Sequence, residues 1–108
     1  MKDINKYGRH VVKAWFPAKL KKVDPALVVM ALGLGGEAGE VQEHIKKFVR
    51  DGVLDRPALK KELGDVVYYW ARICRYFGFS PSSVLDVQIE KCKGRRKRGT
   101  VRGNGDNR

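Results

Sequence analysis

The chain has 108 residues and a formal net charge of +11, from 23 basic and 12 acidic side chains. This length suits one domain, and an apolar fraction of 43% is that of an ordinary globular protein. Two cysteines are too few for a disulfide framework or a four-thiolate metal site. No signal peptide is recognisable, and the longest apolar run, 26–34, is too short to span a bilayer. We therefore expect a cytoplasmic protein without membrane contacts.

The positive charge is concentrated near the C-terminus. Residues 91–108 hold eight basic side chains and one acid, a net charge of +7, whereas residues 1–90 hold fifteen basic and eleven acidic side chains, a net charge of +4. A basic tail attracts phosphate on nucleic acids, on nucleotides or on lipids. The alternative is a tail that serves only solubility.

Prolines and glycines divide the chain into four helical segments, and no stretch keeps the alternation of a strand. Three segments open on an aspartate or serine followed closely by proline, as helix N-caps and first turns do. The predicted helices cover about 4–16, 25–50, 56–77 and 81–97. We predict one all-α domain over 1–108, a four-helix-bundle-like core at about 4–97, and an irregular basic tail at 98–108.

Two features of the central helices point to close packing. Cys74 lies in the third helix, which is apolar nearly all round between residues 66 and 74; we expect this cysteine in the core and a second subunit over part of the helix. A homodimer or homotetramer is predicted. The second helix holds four glycines, which disfavour a helix unless another backbone or a ligand approaches closely. They are Gly33, Gly35, Gly36 and Gly39.

Two pairs of acids at spacing i, i+3 lie on these helices: Glu37 with Glu40, and Glu62 with Asp65. Each pair occupies one helical face, and the 21 residues between Glu40 and Glu62 let the chain turn and return antiparallel. The helical angle points Glu37 towards the core and places Asp65 farther round, so that Asp65 would need a second neighbouring helix. Converging carboxylates repel one another, and a hard divalent cation removes that repulsion. The pattern predicts a Mg²⁺ site, with Mn²⁺ as an alternative.

The alternative for each pair alone is a solvated helix face that pairs with lysines. Glu43, with Lys46 and Lys47 three and four residues on, fits that description well. His44 lies near the same apolar stripe as the acids, and a lone histidine there is more often a packed side chain than a metal ligand.

At these residues the sequence resembles the MazG-like all-α nucleoside triphosphate pyrophosphohydrolases, which include the dimeric dUTPases. The first motif reads Leu34-Gly35-Gly36-Glu37-Ala38-Gly39-Glu40-Val41. The second reads Glu62-Leu63-Gly64-Asp65-Val66-Val67-Tyr68-Tyr69. The likeness continues in the tail, through Lys97-Arg98-Gly99-Thr100 and Gly103-Asn104-Gly105-Asp106-Asn107-Arg108. One departure is Gln88, where close relatives are expected to carry asparagine, which leaves base and sugar preference open.

The resemblance implies Mg²⁺-dependent conversion of a nucleoside triphosphate to monophosphate and pyrophosphate, in nucleotide-pool house-cleaning. The catalytic and metal-binding residues are then Glu37, Glu40, Glu62 and Asp65. More than one ion is plausible, because four carboxylates exceed what one Mg²⁺ usually takes from protein. Glu40 is our choice if one glutamate acts as base. For substrate phosphates we select cations of the last helix and tail, namely Lys91, Arg95, Arg98 and Arg102.

Two other functions fit parts of the sequence. A helical nucleic-acid-binding protein would use residues 91–108 as a basic arm, which explains the tail and leaves the acid pairs without a role. A purely structural helical dimer or antitoxin-like partner would leave the acids vestigial. Trp15 and Phe16 could stack on a base, although packing in the core is the more frequent role of such residues.

Overall fold

The computed structural model describes residues 3–15 and 22–108, which form four helices and no strand. The helices are α1 (Ile4–Ala14), α2 (Pro25–Asp51), α3 (Arg56–Tyr76) and α4 (Pro81–Arg98). The predicted all-α class is confirmed, and each end that falls within the described residues lies close to its predicted place. Phe16 and Pro17, predicted to close the first helix, lie outside the described residues.

Local sequence signals set the helix ends. Asp24 and Asp55 each accept a hydrogen bond from a main-chain N–H of the following helix, at 2.9 Å and 3.0 Å, and Ser80 does the same at 3.2 Å. A proline follows each of these caps within the first turn, where its missing N–H costs nothing. Helices α2 and α4 end at Gly52 and Gly99, whose φ angles of 74° and 70° are left-handed and favour glycine.

Helices α2 and α3 form an antiparallel hairpin. The hydroxyl of Tyr76, at the end of α3, donates to Asp24 Oδ2 at the start of α2 over 3.2 Å. Met30 and Cys74 pack inside this hairpin and are the only buried residues in the described parts of the chain, so Cys74 is in the core as predicted. The sequence therefore folds around one helix pair, and that pair carries both acid motifs.

The remaining helices leave the single chain open. Within the described residues α4 packs against α3 alone, and α1 packs against none of the other helices. The radius of gyration is 19.6 Å, against about 13 Å for a compact chain of this size. Trp15, at the end of α1, is 72% exposed, so the expectation that it lies in the core is wrong for one chain. None of the described helices has the length and apolar character needed to cross a membrane.

Candidate metal centre

Three of the four predicted acids converge between α2 and α3. Glu37, Glu62 and Asp65 each offer a carboxylate oxygen, and these three oxygens lie within 4.8 Å of one another. Glu37 and Glu62 are half-buried, and Asp65 is exposed at the edge of the group. The i, i+3 spacing in α3 and the antiparallel return of the chain produce this meeting. We call these three residues the acidic cluster.

Glu40 and Asp65 differ in their position relative to the acidic cluster. Glu40 is exposed and stands one turn after Glu37, outside the acidic cluster. Asp65 joins the cluster beside Glu37 of α2 and Glu62 of its own helix, and α3 also has the second neighbouring helix, α4, on which its inclusion was expected to depend.

The carboxyl groups of the acidic cluster shift the pKa of Glu37, one of its three members. A hydrogen bond with the Glu62 carboxyl raises the pKa of Glu37 above its ordinary value, and partial burial and the charges of Asp65, Glu62 and Glu40 raise it further. Carboxyls this close share a proton when no cation lies between them. The same repulsion favours a cation that can replace the proton.

No lysine or arginine in the described parts of the chain forms an ion pair with the acidic cluster or with Glu40. His44 lies beside the cluster, with its Nε2 3.9 Å from Glu62 Oε1. Glu43, by contrast, pairs with Lys46 at 3.0 Å, which is the solvated pairing that its spacing indicated. The donor set of the cluster consists only of carboxylate oxygens, which suits a hard cation such as Mg²⁺ or Mn²⁺.

The position of His44 could have been found from the sequence. It lies four residues after Glu40 and seven after Glu37, so the helical period places it on their side of α2. Its side chain is 20% exposed. The helical pattern indicated a packed residue, and in the structure His44 packs beside Glu62.

Three of the four predicted phosphate-binding cations contact residues that follow α4, and the fourth, Arg102, does not. Lys91 and Arg95 both approach Asp106, with Nζ and Nη2 at 3.0 Å and 3.4 Å from its Oδ1. Arg98 donates to the main-chain oxygen of Arg108 at 2.7 Å. Arg102 is exposed and forms none of the hydrogen bonds or ion pairs seen in the described residues. No pattern in the sequence indicated that Asp106 contacts Lys91 and Arg95.

The sequence matches a protein-family model and a phage protein. Residues 27–100 match the model of the MazG nucleotide pyrophosphohydrolase domain. The chain belongs to this family. It is also 39% identical over 87 residues to the Gene 37 protein of Mycobacterium phage L5, a match that covers 76% of each chain. No solved structure matches the MazG-family chain with significance.

The MazG match spans both groups of predicted site residues, the acids of α2 and α3 and the cations of α4. It includes the acidic cluster, Glu40, and the α4 cations Lys91 and Arg95. It ends at residue 100, so the loop that carries Asp106 lies beyond it. The family model therefore covers the acids and the cations of α4 and leaves out residues 101–108.

Proposed function

We propose that this MazG-family protein hydrolyses nucleoside triphosphates to monophosphates and pyrophosphate with Mg²⁺, in cytoplasmic nucleotide-pool house-cleaning. The observation that carries the proposal is the convergence of Glu37, Glu62 and Asp65 from two helices, with no lysine or arginine of the described residues paired to them. Ribose and deoxyribose nucleotides are both included. The family supports the reaction class, and the chemistry of the cluster supports the metal.

In this reaction water attacks the α-phosphorus, the bond from that phosphorus to the α–β bridging oxygen breaks, and pyrophosphate leaves with the bond's electrons. Glu37, Glu62 and Asp65 would hold one or more Mg²⁺ ions, which would supply positive charge beside the phosphates and make water easier to deprotonate. Glu40, exposed one turn beyond Glu37, takes the proton from the attacking water.

The leaving pyrophosphate needs cations that the acidic cluster does not offer. Lys91 and Arg95 lie one turn apart on the same face of α4, and both already contact an anionic oxygen, that of Asp106. We assign them to the substrate phosphates. Arg98 and Arg102 are secondary candidates, because Arg98 is already engaged by the main chain of Arg108.

The functional unit is a homo-oligomer, either a dimer or a tetramer. Along α3, Leu63, Val67 and Tyr68 are 50%, 56% and 54% exposed in the single chain. Burying apolar surface is favourable by about 25 cal/mol per Å², so leaving these side chains in water is unfavourable. A second copy of the chain covers such a face in a symmetric assembly.

A panel of ribo- and deoxyribonucleoside triphosphates, assayed with Mg²⁺ in ¹⁸O-labelled water, tests the reaction. We expect monophosphate and pyrophosphate in equal amounts, with the label in the monophosphate, and no turnover in EDTA. Orthophosphate as the product, label in pyrophosphate, or turnover in EDTA would contradict the proposal. Tight RNA or DNA binding that falls steeply with salt, without turnover, would favour the nucleic-acid-binding alternative.

A further inference from the structure

The loop after α4, residues 99–108, folds back along this helix and brings the carboxylate of Asp106 to two cations of α4. Lys91 Nζ and Arg95 Nη2 both contact Asp106 Oδ1, and Arg95 also donates to the main-chain oxygen of Asp106 at 3.2 Å. The side chain of Arg95 is 14% exposed, whereas that of Asp106 is 81% exposed. A mostly buried guanidinium is thus paired with a carboxylate that can leave for water.

Hydrogen bonds hold this loop in place. Gly99 turns the chain back, and the N–H of Thr100 donates to Arg95 O at 2.8 Å. At the far end, the Arg108 guanidinium donates to the main-chain oxygens of Thr100, Val101 and Gly105. Asp106 therefore reaches α4 from an ordered loop.

We propose that Asp106 is an internal anion, which occupies the Lys91–Arg95 pair in place of phosphate and is displaced when a pyrophosphate group binds there. The proposal rests on the proposed function only for identifying this pair as the phosphate contact. A carboxylate oxygen and a phosphate oxygen accept from the same donors, and a pyrophosphate brings more oxygens and more charge. Displacement leaves Asp106 in solvent, where it is already mostly exposed.

The size of the effect follows from the exposure of Asp106, whose side chain is 81% exposed. Ion pairs with a solvent-exposed partner stabilise weakly, so Asp106 cannot exclude pyrophosphate and can only compete with it. Its presence keeps the mostly buried Arg95 partnered when no substrate is bound, which avoids an unpaired charge. The hydrogen bond from Lys91 lowers the pKa of Asp106, so the competitor stays ionised near neutral pH.

The alternative is that Asp106 merely positions Lys91 and Arg95. The two roles predict opposite signs. A competitor weakens anion binding, so its removal strengthens it; a positioning residue strengthens anion binding, so its removal weakens it. Asp86 provides a matched control, since it lies on α4, is exposed, and forms none of the ion pairs seen in the described parts of the chain.

Calorimetric titration of the full chain with inorganic pyrophosphate, with and without Mg²⁺, tests the proposal. We expect Asp106→Asn to lower the Kd by about two- to fivefold, the range that one exposed ion pair allows, and Asp86→Asn to leave it unchanged. Both substitutions remove one negative charge. An unchanged or raised Kd in Asp106→Asn, an equal gain in Asp86→Asn, or no measurable binding in either protein would overturn the proposal.

Arg108→Lys gives a second test that leaves Asp106 in place. Lysine keeps the charge but cannot reach three main-chain oxygens, so the loop loosens and the effective concentration of Asp106 at the pair falls. We expect tighter pyrophosphate binding, and a double variant with Asp106→Asn that binds no more tightly than Asp106→Asn alone. Full additivity would contradict the proposal. Absence of nucleotide hydrolysis with these gains intact would instead count only against the proposed function.

Discussion

The ring of Tyr69 on α3 covers Gly33 on α2, at a point where a Cβ on residue 33 would overlap the ring carbons. This glycine is therefore required by the approach of the two helices. The glycines at 35, 36 and 39 have open space at the same position. Close packing thus accounts for one of the four helical glycines, in the hairpin that carries the acidic cluster.

Gly33→Ala is expected to destabilise the protein by about 1–3 kcal/mol, because Tyr69 must shift to admit the methyl group. Gly35→Ala is the control, since it adds the same methyl group in open space and should stabilise the helix by about 0.5–1 kcal/mol. Urea denaturation measures both values. Equal effects of the two substitutions would show that Tyr69 and Gly33 do not restrain each other.

The apoprotein should become more stable at neutral pH when Glu37 is replaced by Gln. The pKa of Glu37 is raised above 4.5, so this carboxyl favours folding below that pH, and the contribution is lost as the pH rises through the raised value. Glutamine, which cannot ionise, avoids the loss. Thermal melts in EDTA from about pH 4 to about pH 8 should show an advantage for Glu37→Gln that vanishes on acidification.

Glu43→Gln is the control for that experiment and should have the opposite sign. A hydrogen bond from Lys46 lowers the pKa of Glu43, so its contribution to stability is present above 4.5 and is lost as the pH falls through the lowered value. A small loss of stability at neutral pH is expected. The same sign for Glu37→Gln and Glu43→Gln would exclude repulsion within the acidic cluster as the cause.

Mg²⁺ should raise the melting temperature of the wild-type protein. A ligand at about one hundred times its Kd stabilises the folded state by about 2.7 kcal/mol. Asp65→Asn removes a ligand from the cluster and should abolish most of this rise, whereas Glu43→Gln should retain it. An undiminished rise in Asp65→Asn would place the metal elsewhere.

Light scattering should give two or four times the molar mass of one chain. Val67 is half exposed on the α3 face that we assign to the second copy, so Val67→Lys should shift the equilibrium towards smaller species. Lys60→Arg, an exposed conservative change on the same helix, is the control. A monomeric wild-type protein at micromolar concentration would rule out the proposed assembly.

Features set by neighbouring residues, such as the helix starts, were predictable from the sequence. Features that depend on how distant segments pack were not. The caps at Asp24, Asp55 and Ser80 act within one helical turn, so the sequence was sufficient to place the helix starts. The acid pairs needed only helical spacing and an antiparallel return to be expected close together. Whether Glu40 or Asp65 joins the cluster depends on the crossing of α2 and α3, which no local pattern specifies.

The path of the loop after α4 could not be predicted from the sequence. Its path depends on left-handed backbone at Gly99, Gly103 and Gly105, which glycine permits but does not enforce. The contact of Asp106 with Lys91 spans fifteen residues of sequence, and nothing in the helical period points to it. The sequence could mark the cations as candidate phosphate contacts, but it could not show that Asp106 contacts Lys91 and Arg95.

Pyrophosphate release from a nucleoside triphosphate by matched single variants tests the central claim most directly. Glu37→Gln, Glu62→Gln and Asp65→Asn should each lower kcat at saturating Mg²⁺ by about a hundredfold or more while circular dichroism shows an intact helical fold, because each removes one carboxylate of the cluster. Glu43→Gln, a change of the same type on α2, should retain wild-type turnover. Wild-type turnover in two or more of the three cluster variants would contradict the assignment of this cluster as the metal centre.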